Sequence, residues 1–200
     1  MSRIVYVHAD ESCLGIQFTD RDSPGGAAGL VEYWTGSRWV RRDYWISEPA
    51  TTNNRMALRS AIEALSALKP GARVVFVSDS EYLVKGMREW LPGWVRRGWR
   101  RKAGSIANEQ LWRELAAVMA LHAIDPRWVR GHAGDARNEY ANDLAVRAAK
   151  EQTASGGLVG SGFEKWLEVQ RDKYQRYFDF YEFAPAGEQP EFTPVRALPG

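Results

Sequence analysis

RVVFVSDSEYL, residues 73–83, decides how this chain is read. Residues 73–78 form a short, nearly continuous apolar run, which suits a strand buried on both faces, and the run ends abruptly on Asp79 before helix-forming sequence. Working backwards, TTNNRMALRSAIEAL (51–65) supplies helix-start chemistry. Ala57, Ala61, Ile62, Ala64, Leu65 and Leu68 then follow at helical spacing until Lys69-Pro70-Gly71 stops the helix. RIVYVHA (3–9) is a first strand ending at Asp10, while AGLVEYW (28–34) and RWVRRDYWI (38–46) flank the turn TGS as a hairpin. Working forwards, a helix runs from Asp79 toward Trp90, breaks near Pro92-Gly93 and resumes in a Trp-rich basic segment. A further helix spans about 108–121, RWVR (127–130) is a last strand, and NEYANDLAVRAAKEQ follows the loop GHAGDAR as a helix. The order β-β-β-α-β-α-α-β-α predicts an α/β fold, a mixed sheet with helices on both faces.

The chain has 200 residues, 44% of them hydrophobic and 26% charged, which suits one compact domain with room for an appendage. Its single cysteine, Cys13, forms no internal disulfide, and no apolar run reaches the roughly 18–20 residues of a bilayer span. The start MSRIVYVHAD meets charge too early for a signal peptide, so a cytoplasmic protein without membrane contact is expected. ASGGLVGSG (154–162) has linker composition and separates a domain at 1–153 from FEKWLEVQRDKYQRYFDFYEF (163–183), an aromatic amphipathic helix, and from an irregular tail at 184–200. The aromatic face either folds back on the domain or docks a partner protein or a second copy. Lys165, Arg171, Lys173 and Arg176 leave a nucleic-acid contact open as well.

Asp10 and Asp79 carry the chemistry. If the sheet pairs their strands, two hard oxygen ligands meet at one edge, a set suited to Mg²⁺ or Mn²⁺ and phosphoryl displacement; helix capping is the alternative reading of each residue alone. The formal net charge is only +2, yet Lys85, Arg88, Arg96, Arg97, Arg100, Arg101 and Lys102 face a single acid, Glu89, within eighteen residues. Trp90, Trp94 and Trp99 are interleaved. Such a concentration of like charge points to a polyanion partner, while Trp90 and Trp94, at i and i+4, suit core packing.

ADESCLG (9–15), PGG (24–26), TTNNRM (51–56), VSDSEYL (77–83), WLPGWVRRGW (90–99) and GHAG followed by NEYANDLA (131–145) occur in the order and approximate spacing of bacterial type 1 ribonuclease H. The resemblance covers residues 1 to about 150. It implies a ribonuclease H-like five-stranded sheet in the order 3-2-1-4-5 and divalent-metal-dependent hydrolysis of the RNA strand of an RNA–DNA hybrid. Four acids hold the metals in that family. Matched by position, the first and third are Asp10 and Asp79, but the second falls on Ala57 and the fourth on Asn142; Asp143 lies about 100° around the helix from the matching position. His132 matches the histidine implicated in proton transfer or product release, whereas His8 and His122 read as structural.

Substrate positions carry over at Cys13, Asn53, Asn54 and Asn108, which meet the hybrid in the family, and at Thr52, which contacts phosphate. Glu81 stands where the family has glutamine, Ile16 where it has asparagine, and Gly93 where an asparagine belongs to the phosphate pocket. The basic segment resembles the family's handle, placing Arg96, Arg97, Trp99, Arg100 and Arg101 along the DNA strand. Ala57 and Asn142 lead to the expectation of a ribonuclease H-type protein that recognises RNA–DNA hybrid with weak or lost cleavage, the alternative being an active nuclease with a relaxed metal shell; the departures at Ile16, Glu81 and Gly93 favour natural divergence over deliberate substitution. A non-catalytic scaffold acting through its C-terminal helix is the alternative from outside enzymology.

Overall fold

The computed structural model describes residues 3–15, 23–100, 104–131, 134–180, 191–196 and 198. Its elements are β1 (Ile4–Cys13), β2 (Ser23–Trp34), β3 (Trp39–Thr51), α1 (Asn53–Ser66), β4 (Arg73–Ser78), α2 (Glu81–Lys85), α3 (Leu91–Arg96), α4 (Glu109–Met119), β5 (Ala123–Trp128), α5 (Ala136–Glu151), β6 (Val159–Gly160) and α6 (Phe163–Tyr174). The sheet order is β5-β4-β1-β2-β3-β6, so the expected 3-2-1-4-5 arrangement is present with one short strand added outside β3. β1 pairs parallel to β4 and antiparallel to β2, and the parallel pairing ends at Ala9–Ser78, so Asp10 and Asp79 follow side by side.

Alternation along the strands feeds two cores. Val7, Ala9 and Val31 join Ala57, Ala61, Ala64 and Leu65 of α1 and Trp112 of α4 on one side of the sheet. Ala28 and Leu30 join Tyr140, Leu144 and Ala145 of α5 and Phe163 and Leu167 of α6 on the other. The small residues of β2 permit this second contact: a Cβ at Gly26 would strike the α5 backbone at Ala145 and Ala149.

Three boundaries differ from the sequence reading. β1 continues past Ala9 to Cys13 because the PGG segment pairs with it, Glu11 opposite Ala27, Ser12 opposite Gly26 and Cys13 opposite Gly25. Pro92 does not break its helix; a π-helical turn, Gly86–Trp90, closed by Leu91 N–H on Gly86 O, runs directly into α3 with Pro92 in its first turn. The last core strand is Ala123–Trp128 rather than 127–130, with Pro126 tolerated because β5 is an edge. Val195 donates its backbone N–H to Ile124 O at 2.8 Å along that strand.

Residues 154–162 are tied down. Ser155 exchanges hydrogen bonds with Trp45 (backbone N–H to Trp45 O at 2.9 Å, Trp45 N–H to Ser155 Oγ at 3.1 Å), and Gly162 N–H reaches Asp43 Oδ2 at 2.9 Å. α6 therefore folds back over α5 in cis; it ends at Tyr174, short of the expected helix to 183, and residues 181–183 lie outside the described set. Phe163 is fully buried and touches the rings of Tyr140, Trp166 and Phe180. Among the described residues no helix is long and apolar enough to cross a membrane. Phe163→Ala should destabilise the chain by about 3–5 kcal/mol in urea unfolding. A cost below about 0.5 kcal/mol, the usual scale of a surface substitution, would show that the extension adds nothing to the core.

Candidate active site

β1 delivers two consecutive acids to opposite faces of the sheet. Asp10 continues the face of His8 toward α5, and Glu11 continues the Val7–Ala9 face toward α1. At the strand end both side chains reach the notch beside Asp79, and Asp10, Glu11 and Asp79 each offer an oxygen within 4.8 Å of the others. Asp10 is buried, whereas Glu11 and Asp79 are half-buried. Sequence matching found Asp10 and Asp79 and missed Glu11. The usable signal was the period of two, which places the residue after Asp10 on the α1 side that carries Ala57.

The electrostatics suit a cation. Burial, then the adjacent Asp79 charge, pushes Asp10 up to about 8, against hydrogen bonds from Glu11 N–H (2.7 Å) and Asn138 Nδ2 (3.2 Å) that favour its charged form. Burial, then Asp10 and Asp79, raises Glu11 well above the usual carboxylate range, partly offset by a hydrogen bond with Ser80. Mutual repulsion among hard oxygen donors is relieved by a divalent ion, so the donor set fits Mg²⁺ or Mn²⁺.

Around this notch, α5 starts at its N-cap Asp135, whose carboxylate accepts from Arg137 N–H (2.9 Å) and Asn138 N–H (3.0 Å). Asn142 follows Asn138 by one turn on the same side and is half-buried. Gly131 lies against Asp79, where a Cβ would strike Oδ2, and Trp128 donates Nε1–H to Asp79 O at 2.9 Å. His132 lies outside the described residues, as do Ile16 and Arg101.

The RNase H family model matches residues 2–150. The ribonuclease H of Pelobacter propionicus is 42% identical over 148 residues, covering 74% of this chain and 85% of that protein, and ribonuclease HI of Pseudomonas aeruginosa PAO1 is 40% identical over 148 residues, covering 74% and 94%. The chain belongs to the bacterial type 1 RNase H family. A solved structure described as "LC9-RNase H1, a type 1 RNase H with the type 2 active-site motif" is 50% identical with a TM-score of 0.85, and the match covers 100% of this chain and 95% of that one.

Against the RNase H pattern, Ala57 is fully buried within the core cluster under α1. Cys13 is also buried, packed with Ala27 and Met56, and burial raises its thiol to about 11. Thr52 caps α1, accepting from Arg55 N–H at 3.4 Å, with Asn53 half-buried and Asn54 exposed in the first turn. Asn108 holds a left-handed conformation (φ 57°) and donates to Tyr82 Oη at 3.3 Å. In the handle Arg96, Arg97 and Arg100 are exposed, but Lys85 pairs with Glu81 at 2.8 Å, and the exposed Arg88 reaches across to Asp125 at 2.9 Å and Pro126 O. Trp90 and Trp94 pack around Trp112 as expected, and Trp99 lies under the Arg113 guanidinium at 4.5 Å.

Because folding raises Asp10 from 3.8 to about 8, the metal-free protein binds protons more tightly than the unfolded chain between those values; this contribution to stability is complete at low pH and fades as pH rises through about 8. Asp10→Asn should therefore stabilise the chain in chelator at pH 8, by on the order of a few kcal/mol, with the gain shrinking toward pH 4. Melting curves across that range check it. An equal effect at both ends would contradict the assignment.

Proposed function

We propose that this protein is an active ribonuclease H that cleaves the RNA strand of an RNA–DNA hybrid, with Glu11 supplying the carboxylate that position 57 lacks. The observation that carries the proposal is the meeting of Asp10, Glu11 and Asp79 within 4.8 Å at the end of paired strands. Asp10, Glu11 and Asp79 would hold divalent ions, with Asn142 offering a neutral amide oxygen where the family has an acid. Bound there, Mg²⁺ or Mn²⁺ supplies positive charge for the attacked phosphate and activates water. The exposed Arg96, Arg97 and Arg100 would neutralise phosphates of the DNA strand, and Asn53 and Asn54 would meet the shallow groove and its 2′-hydroxyls. A buried single thiol fits a reducing cytoplasm.

The 50%-identical relative supports this reading, since it is a type 1 RNase H with the type 2 active-site motif. The geometry favours an active enzyme over a binding relative with lost catalysis because a third carboxylate stands beside the two that sequence matching supplies. The two readings separate on position 57. With labelled hybrid and Mg²⁺ or Mn²⁺, Glu11→Gln, Asp10→Asn and Asp79→Asn should each reduce cleavage at least about a hundredfold, the loss of roughly 3 kcal/mol or more. Ala57→Glu should gain little, because the carboxylate is already present. Cleavage that survives Glu11→Gln, or that appears only after Ala57→Glu, would overturn the proposal.

A further inference from the structure

The C-terminal segment lies outside the shared RNase H domain, which the family model matches only to residue 150. Its contacts concentrate on one helix. Trp166 Nε1 donates to Asp143 Oδ2 at 2.8 Å, and Tyr140 meets the rings of Phe163 at 5.3 Å and Trp166 at 5.4 Å. Tyr140 Oη also donates to Asp43 Oδ2 at 2.5 Å, on the strand beneath. Beyond α6 the chain turns back over the first turn of α5, where Phe180 lies against the Arg137 guanidinium at 4.7 Å while Arg137 Nε donates to the buried Glu32.

That turn is built under strain. Tyr177 holds a left-handed conformation at φ 57°, costly for a bulky residue, and its buried hydroxyl has no hydrogen-bond partner among the described residues. Arg171 fixes it by donating to the carbonyls of Tyr177 and Phe180. A strained turn with an unsatisfied hydroxyl persists only where the surrounding packing over-determines it.

Positions 140 and 143 contact the extension, while Asn138 reaches the notch and Asn142, one helical turn later, lies on the same side of α5. Tyr140 is about 200° around the helix from Asn138 and from Asn142, and Asp143 is next to Asn142 in sequence, so α5 links the extension to the carboxylates. Asn138 is already engaged there, donating to Asp10 Oδ2 at 3.2 Å. We propose that the segment from Gly162 to Phe180 is a positioning device for the active site: by gripping the flank of α5 that carries Tyr140 and Asp143 it sets Asn138 and Asn142 against the carboxylate notch. This rests on the proposed function above. An aspartate at position 142 would be drawn toward a divalent ion by its own charge, and the amide that replaces it is attracted far less, so packing from behind does the placing instead.

The test uses the full chain, Trp166→Phe, which keeps a ring but loses the bond to Asp143, and Phe180→Leu, which keeps apolar bulk but loses the ring under Arg137. Side-chain amide resonances of Asn138 and Asn142 and steady-state hybrid cleavage are both followed well below every melting temperature. In at least one variant the Asn138 and Asn142 amide signals should shift and exchange faster with solvent. In the same variant kcat should fall roughly ten- to a hundredfold, the usual effect of losing support behind a metal site, with KM for hybrid unchanged. A role confined to stability would lower the melting temperature and leave both readouts in place. Unmoved amide signals in both variants overturn the proposal whether or not the chain cleaves hybrid, and so do shifted amides with full turnover. No cleavage by the parent chain contradicts the proposed function, and the amide signals then decide the positioning role alone.

Discussion

Three carboxylates crowded within 4.8 Å at the end of a central strand repel one another, and much of the surrounding structure holds them there. The parallel β1–β4 pairing aligns the strand ends, Gly131 leaves room for the Asp79 carboxylate, and Asn138 and the Glu11 amide point donors at Asp10. The same sheet face shows how a buried acid is satisfied by the protein itself. Burial alone would raise Glu32, but His8, Arg137 and Arg41 around it hold it down to about 2. Asp10, two residues along from His8 on that face, is raised to about 8 by burial and then by the Asp79 charge. One acid is a structural hub, and the other waits for a counter-charge.

Much of this was legible from residues 73–83 outward. A doubly buried strand ending on an aspartate, beside a first strand ending on another, predicted both the sheet and the place where Asp10 and Asp79 meet. Glu11 escaped because the first strand was read as ending at Ala9, and the period-two logic stopped there. What extends β1 to Cys13 is pairing with Ser23–Trp34, a long-range contact whose small residues carry little strand propensity of their own. Ala57 stood out against the family pattern, yet Glu11, the residue proposed to supply the carboxylate, lies 46 positions earlier in the chain. Glu11 meets Asp10 and Asp79 only when the sheet forms.

The C-terminal region shows a similar limit. Its aromatic periodicity marked a helix with a face to bury, and both a cis and a trans partner satisfied that pattern. The outcome turned on polar details with no sequence period: Gly162 and Tyr140 converging on Asp43, Arg41 joining Glu32 to Glu164, and Ser155 pairing with Trp45. These bonds commit residues 154–162 to the edge of the sheet and deliver α6 onto α5. Likewise, the dense positive charge of the handle was visible, but the pairing of Arg88 with Asp125 depended on where β5 lay.

The central claim, that Glu11 takes the place of the acid missing at position 57, concerns where one carboxylate points when an ion is present. It is tested most directly by the anomalous signal of Mn²⁺ in crystals of the full chain. The account predicts an ion between Asp10, Glu11 and Asp79 with a Glu11 oxygen in its coordination shell, at the roughly 2.0–2.2 Å typical of a small divalent ion. An ion held by Asp10 and Asp79 with Glu11 turned away would contradict it.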